Sequence, residues 1–154
     1  MLYPLSYRGV ERRSFTRPRT AVMIPGNMTF HAIVAVFVGA GLGACLRYAL
    51  NLTLDPLWPH LSWGTLASNL VGGYLVGAAA AYFLLRTQLP PEYRLLVITG
   101  FLGGLTTFSA FSLEVVNMLQ GDRPAMALLT VAAHVLGSLA LTALGALSMR
   151  VALS

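Results

Sequence analysis

Four long segments without a charged side chain set the limits on what this chain can fold into. They cover residues 30–46, 62–85, 95–113 and 124–149. An α-helix rises about 1.5 Å per residue, so it needs about 20 apolar residues to cross a hydrocarbon core of about 30 Å. We predict spans at about 30–50, 62–85, 95–119 and 124–149, since helix can continue past a charge at the membrane interface. The expected fold class is an all-α integral membrane protein with four transmembrane helices.

The composition agrees with a membrane location and argues against several other classes. Of the 154 residues, 56% are hydrophobic and 10% are charged, whereas about 25% of the residues of a typical soluble domain are charged. All ten cations are arginine, and those outside the N-terminal region are scattered singly between apolar segments. That scatter argues against nucleic-acid binding. The single cysteine, Cys45, cannot form an intrachain disulfide and is interpreted as a small packing residue.

The N-terminal region differs from the rest of the chain. Residues 1–27 are basic and contain three prolines, so we expect a disordered tail there and a transmembrane domain at 28–154. A start assigned too early would also explain the tail, with Met1, Met23 and Met28 as the alternatives. An even number of spans places both termini on one side, and the arginine excess assigns that side to the cytoplasm. Without the tail the charge bias is weak, which permits insertion in both orientations.

Polar side chains share a face in the second span and again in the fourth. Thr65 and Asn69 are four residues apart and therefore lie on the same side of a helix. The fourth span has a polar residue at every fourth position, namely Thr130, His134, Ser138 and Thr142. Polar groups in a membrane are costly and face protein or water. The stripe indicates either hydrogen bonds between helices or a track along which a polar solute moves.

The middle of the third span is poorly suited to a regular helix. Gly100, Gly103 and Gly104 precede the pair Thr106 and Thr107, and both residue types have low helix propensity. Non-helical backbone at this depth is tolerated only inside protein or beside a cavity. We therefore predict a third helix that is broken near its middle. A break would free carbonyl groups, such as those of Gly103 and Thr106, that can bind a cation.

Three blocks of sequence carry a family resemblance. They read GAGLGACLRY at 39–48, GTLASNLVG at 64–72 and GFLGGLTTFSAF at 100–111. In this order they resemble the signature blocks of the CrcB/Fluc family of fluoride channels, and the resemblance covers about residues 30–150. It implies an antiparallel, dual-topology homodimer in the cell membrane with two pores for passive fluoride export. It also implies a structural Na⁺ at the dimer interface. The implied partners are fluoride, membrane lipid and a second copy of the chain.

The resemblance also implies roles for individual residues. Asn69 would be the pore amide, and Phe108 and Phe111 would be paired rings that line the pores. Na⁺ would bind the backbone carbonyls of Gly103 and Thr106. Arg47 would be the vestibule arginine, and Glu114 would be the acid of the third helix. The other residues that we assign to the pore are Thr65, Thr107, Ser109, His134, Ser138 and Thr142. His134 departs from the family pattern, because this position often carries another polar or an aromatic residue.

The residue types also fit fluoride on physical grounds. Fluoride is small and tightly hydrated, so a pore must replace its water with hydrogen-bond donors such as hydroxyl and amide groups. Aromatic rings have a positive edge, so Phe108 and Phe111 can stabilise an anion without a fixed charge. A fixed cation at that point would bind the ion too tightly for rapid release. Four helices can hardly both enclose a pore and pack a core, which favours a dimer.

Two other functions are compatible with a small four-span protein. A dual-topology cation or drug exporter requires an acid in the middle of the first span, and this chain has only Arg47 there. A membrane assembly subunit would use the polar stripe only to bind partner helices. An enzyme is disfavoured, because the sequence has no paired acids, no P-loop and no metal-ligand cluster. Substitution of Asn69 or Phe108 separates a packing role, which predicts misassembly, from a pore role.

Overall fold

The computed structural model describes residues 26–57 and 61–154. Residues 1–25, and with them nearly all of the expected N-terminal tail, lie outside the described part. The first helix begins at Gly26, so residues 26 and 27 belong to this helix rather than to the tail.

The described chain is helical, with short connections. Helix α1 covers Gly26–Leu54 and is followed by a single 3₁₀ turn at Asp55–Leu57. Helix α2 covers Trp63–Leu85. The third span, Pro91–Gln120, comprises α3 (Pro91–Arg94), a π-helical stretch (Leu95–Leu102), α4 (Gly103–Leu105) and α5 (Phe108–Gln120). Helix α6 covers Pro124–Ala152.

The four predicted spans are confirmed as helices that are long and apolar enough to cross a membrane. The first and fourth helices extend a few residues beyond the predicted ends, and the third span starts at Pro91 instead of 95. Proline fits the first turn of a helix because its missing N–H would have no intrahelical acceptor there. Pro91 and Pro124 both begin their segments in this way.

The predicted break in the third span lies at Thr106 and Thr107. Both residues have extended backbone, with φ −80° and ψ 154° at Thr106 and φ −150° and ψ 125° at Thr107. Thr107 then caps α5, because its hydroxyl accepts a hydrogen bond from the backbone N–H of Ala110 at 3.3 Å. Ser and Thr favour this cap position, where the first N–H groups of a helix have no intrahelical acceptor.

Glycines let α1 lie directly against the first half of the third span. A Cβ atom at Gly39 would collide with the carbonyl of Leu96, and one at Gly43 would collide with the carbonyl of Phe101. Because later residues of α1 meet later residues of the third span, these two segments run parallel. Small residues at such a contact allow the backbones to approach closely.

Helices α2 and α6 pack in the same manner and also run parallel. A Cβ atom at Gly73 would lie 3.1 Å from the carbonyl oxygen of Ser138, and one at Gly77 would collide with the carbonyl of Thr142, so later residues of α2 meet later residues of α6. The hydroxyls of Tyr74 and Ser148 are 2.9 Å apart and link the same two helices. This close packing fixes how far α2 and α6 are shifted along each other. It therefore determines which side chains of the two helices meet.

Candidate functional site

A cavity of about 460 Å³ lies beside the break in the third span. Side chains from α2, from both halves of the third span and from α6 surround it. Its wall combines polar groups with aliphatic and aromatic side chains. The lining residues with polar side chains are Asn69, Thr106, Thr107, His134 and Ser138, and the aromatic ones are Phe108 and Phe111. The cavity therefore brings together, from separate spans, most of the residues that the sequence assigned to a pore.

Asn69 joins α2 to the broken backbone of the third span. Its Oδ1 accepts a hydrogen bond from the N–H of Thr107 at 2.8 Å, and its Nδ2 donates to the carbonyl of the same residue at 3.0 Å. Nδ2 also lies 3.0 Å from Nδ1 of His134 on α6. A buried backbone N–H or C=O without a partner costs free energy, so Asn69 stabilises the two groups that the break exposes.

The aromatic rings form a short series at the edge of the cavity. Phe111 is buried, and its ring stacks on the imidazole of His134 with centroids 4.6 Å apart and an interplanar angle of 28°. Phe108 meets Phe111 edge to face at 5.5 Å and 64°. In contrast to Phe111, the Phe108 ring is 77% exposed on the single chain. Its ring is therefore free to contact something outside the protomer.

The hydroxyls of the α6 stripe do not form one uniform track. Thr142 donates to the carbonyl of Gly73 at 3.0 Å, and Thr130 donates to the sulfur of Met118 at 3.4 Å. These are the interhelical hydrogen bonds that the sequence allowed as an alternative. Ser138 lines the cavity and makes only a long contact of 3.5 Å with the carbonyl of Asn69.

Thr65 lies in a second cavity of about 430 Å³ at the N-terminal end of α2. There its hydroxyl accepts from the hydroxyl of Ser62 at 2.8 Å. Asp55 accepts from the N–H of Gly64 at 2.8 Å, and Glu114 accepts from the N–H of Ser62 at 2.7 Å. Thr65 and Asn69 thus share a helix but belong to different cavities.

Asp55 was not singled out from the sequence as a functional residue. It lies in the turn after α1 and accepts from the N–H of Gly64 in the first turn of α2, where a carboxylate is favoured by unpaired donors and by the helix dipole. The N-terminal signal in the sequence points to Ser62, which directly precedes α2, and no local pattern marks Asp55.

Ser109, Arg47 and the proposed cation carbonyls lie around the break. The hydroxyl of Ser109 is 3.2 Å from that of Thr107. Nε of Arg47 donates to the carbonyl of Gly104 at 3.2 Å, so the guanidinium contacts the third span from α1. The carbonyls of Gly103 and Thr106 accept none of the hydrogen bonds made at the break. Gly103 is also exposed on the single chain.

Comparison with known proteins gives one family and several close relatives. The model of the family described as "CrcB-like protein, Camphor Resistance (CrcB)" matches residues 34–146. A protein of Burkholderia cenocepacia is 58% identical over 116 residues, which cover 75% of this chain and 91% of the relative. Proteins of Burkholderia lata and Burkholderia thailandensis are 56% and 54% identical with the same coverage. All three relatives carry the name "Fluoride-specific ion channel FluC".

Proposed function

We infer that this chain, which belongs to the CrcB-like family, is a fluoride-selective ion channel and a multi-pass protein of the cell membrane. The observation that carries this function is the identity of 58% over 116 residues to a fluoride-specific channel. The cavity beside the break is consistent with it, because donors and ring edges converge there without a fixed charge among the lining residues. Passive movement down a concentration gradient would export fluoride that has entered a cell as the neutral acid.

The cavity offers fluoride two kinds of group that can replace its water. Ring edges carry partial positive charge, and Phe108 and Phe111 already meet edge to face at 5.5 Å. Ser138 and the hydrogen-bonded pair formed by Asn69 and His134 supply polar atoms on the same cavity wall, where Phe111 stacks on His134. Several weak contacts in sequence favour both entry and release of an ion, which conduction requires. We place the pore along this wall, with Thr107 and Ser109 at the break.

Thr65 and Thr142 lie on either side of this cavity along the membrane-crossing direction. Thr65 is in the second cavity with Glu114, and the hydroxyl of Thr142 is bonded to α2. We propose that these residues border the fluoride path at its two ends. Arg47, half-buried at the break, is the proposed vestibule cation that attracts the anion electrostatically.

A second copy of the chain would complete the pore. The cavity opens at the protein surface, and Phe108 projects there with 77% of its side chain exposed. In a membrane that surface would place polar atoms against hydrocarbon, which is costly. An antiparallel, dual-topology homodimer would cover both cavities at once and create two pores. Its two-fold symmetry would apply the same contacts to each copy.

The backbone at the break fits a cation bound between two such copies. The carbonyls of Gly103 and Thr106 are free of the local hydrogen bonds, and carbonyl oxygens bind monovalent cations. Each copy would contribute the carbonyls of Gly103 and Thr106, so that four carbonyls would surround a central Na⁺. The bound charge would hold the broken backbones of the two subunits together at their interface.

Halide efflux from liposomes tests the proposed function. Purified protein reconstituted into liposomes loaded with KF or KCl should release fluoride rapidly when valinomycin carries the compensating potassium. Chloride should remain inside over the same interval, as in protein-free liposomes loaded with fluoride. Equal release of both halides, or no release of fluoride, would contradict a fluoride-selective channel.

The topology of the dimer can be measured with one cysteine. In a Cys45→Ser background, the substitution Ser154→Cys places a thiol at the C-terminus, outside α6. In right-side-out vesicles from expressing cells, an impermeant maleimide should label about half of this thiol from outside, because an antiparallel dimer contains one copy in each orientation. Detergent should expose the remainder. Labelling that is complete or absent before detergent would establish a single orientation and contradict the antiparallel dimer.

The two alternative functions find less support. Helix α1 contains no acidic residue that could bind the substrate of a cation exporter. Asp55 lies just after the end of α1, and its carboxylate already accepts a hydrogen bond from the N–H of Gly64 in α2. An assembly subunit would explain the bonds of Thr130 and Thr142. It would leave the cavity, the exposed Phe108 and the similarity to named channels without a role.

A further inference from the structure

The orientation of the Asn69 amide is fixed by the backbone of the third span. Thr107 is extended, so its N–H and C=O point to the same side, as in a hydrogen-bonded strand pair. Its N–H must meet an oxygen and its C=O must meet an N–H, which assigns Oδ1 and Nδ2 of Asn69 without ambiguity. The nitrogen end of the amide is therefore the end that contacts His134.

That contact selects one protonation form of the imidazole. An amide nitrogen can only donate, so Nδ1 of His134, 3.0 Å from Nδ2 of Asn69, must be the acceptor. In a neutral imidazole the proton then resides on Nε2. A proton on Nδ1 would place two donors against each other at this distance.

The second ring nitrogen of His134 is a donor without a partner among the described residues. Nε2 is buried and has no hydrogen-bond partner among the described residues, and the whole side chain is 4% exposed. Stacking on Phe111 at 4.6 Å holds the ring plane. An unpaired buried donor is unfavourable, and His134 lines the cavity that we assign to fluoride. An anion in the cavity would complete this donor.

The Asn69 amide has no N–H group left to donate to an ion. Both of its N–H groups are used, one by Thr107 and one by His134, and its oxygen accepts from Thr107. Direct donation from Asn69 to an ion would require one of these bonds to break. The two residues therefore differ, because Asn69 holds the pair in place and His134 carries the unpaired N–H.

We propose that Asn69 is a positioning residue that holds His134 in the neutral Nε2–H tautomer, and that Nε2–H of His134 is the hydrogen-bond donor to fluoride. The proposal rests on the proposed fluoride channel and identifies the donor within it. A neutral imidazole suits this donation better than a charged one, because an imidazolium would bind the anion too tightly and slow its release.

Nitrogen NMR tests the tautomer independently of transport. The full-length protein with His31→Asn and His60→Asn, labelled with ¹⁵N only in histidine, reports His134 alone in lipid nanodiscs. At a pH of about 8.5, above the ordinary titration range of histidine, Nε2 should be the protonated nitrogen. Its two-bond couplings to both ring carbon-bound protons distinguish it from Nδ1. Protonation of Nδ1 in the wild-type site would overturn the proposal.

Addition of fluoride tests whether His134 donates to the ion, and a substitution of Asn69 tests whether this residue sets the tautomer. Sodium fluoride should shift the Nε2 resonance, and sodium chloride at equal concentration should leave it unchanged. In Asn69→Asp a carboxylate oxygen replaces the donor, so Nδ1 should become protonated. No response to fluoride would refute the donor role, and an unchanged tautomer in a folded Asn69→Asp protein would refute the positioning role. Liposome efflux by the wild type decides the channel function separately, so the two failures are distinguishable.

Discussion

Fluoride efflux is expected to fall at least about tenfold when Phe108 is replaced by leucine, while the protein still folds. The ring is 77% exposed on the single chain and makes its aromatic contact with Phe111 at 5.5 Å. Its removal therefore costs the core little. A ring edge beside an anion that has given up part of its water acts as a weak donor, and hydrogen bonds to charged groups contribute about 1.5–3 kcal/mol. An increase of about 1.4 kcal/mol in the barrier lowers the rate by a factor of about ten.

Phe37 provides a matched control for this experiment. It is 79% exposed, lies in α1 and is outside the cavity. Phe37→Leu makes the same chemical change at the same exposure and should leave efflux near the wild-type rate. Size-exclusion profiles in detergent should be alike for both variants. Equal efflux from the Phe108 and Phe37 variants would remove Phe108 from the proposed pore.

The fold itself should fail, or lose much of its stability, when Gly77 is replaced by alanine. The added methyl group would collide with the backbone carbonyl of Thr142 on α6, and a backbone atom cannot move aside as a flexible side chain can. Overpacking costs about 1–3 kcal/mol, and more where nothing yields. The α2–α6 contact also sets the position of Asn69 against His134. We therefore expect both a lower unfolding midpoint and a loss of fluoride efflux.

Gly41 shows whether the effect comes from the contact or from the residue type. A Cβ at Gly41 meets no atom of residues 26–57 or 61–154 within 4 Å. Gly41→Ala should retain or raise the unfolding midpoint, because alanine favours helix by about 1 kcal/mol over glycine. The measurement is the fraction of each variant that stays monodisperse in detergent after heating. Similar midpoints for the two variants would show that α2 and α6 tolerate separation at Gly77.

Local features of the sequence predicted the elements of this fold correctly. Charge-free length determined the four spans, because a charge in hydrocarbon is costly and a helix satisfies its own backbone. The glycines and paired threonines determined the break at Thr106, since each lowers helix propensity at the same place. These effects depend on neighbours in the chain and on the solvent. They can therefore be read without knowing how the helices pack.

The partners within the site were decided by tertiary structure alone. Asn69 was expected to act as a pore amide, a role that stays a prediction, and its actual partners lie 38 and 65 residues away. Thr65 shares a helix face with Asn69 in the sequence, yet it lies in the other cavity with Glu114. Periodicity gives the face of a helix that a residue occupies. The offset and rotation of one helix against another come from the close contacts at glycines such as Gly77, and only these determine which side chains meet.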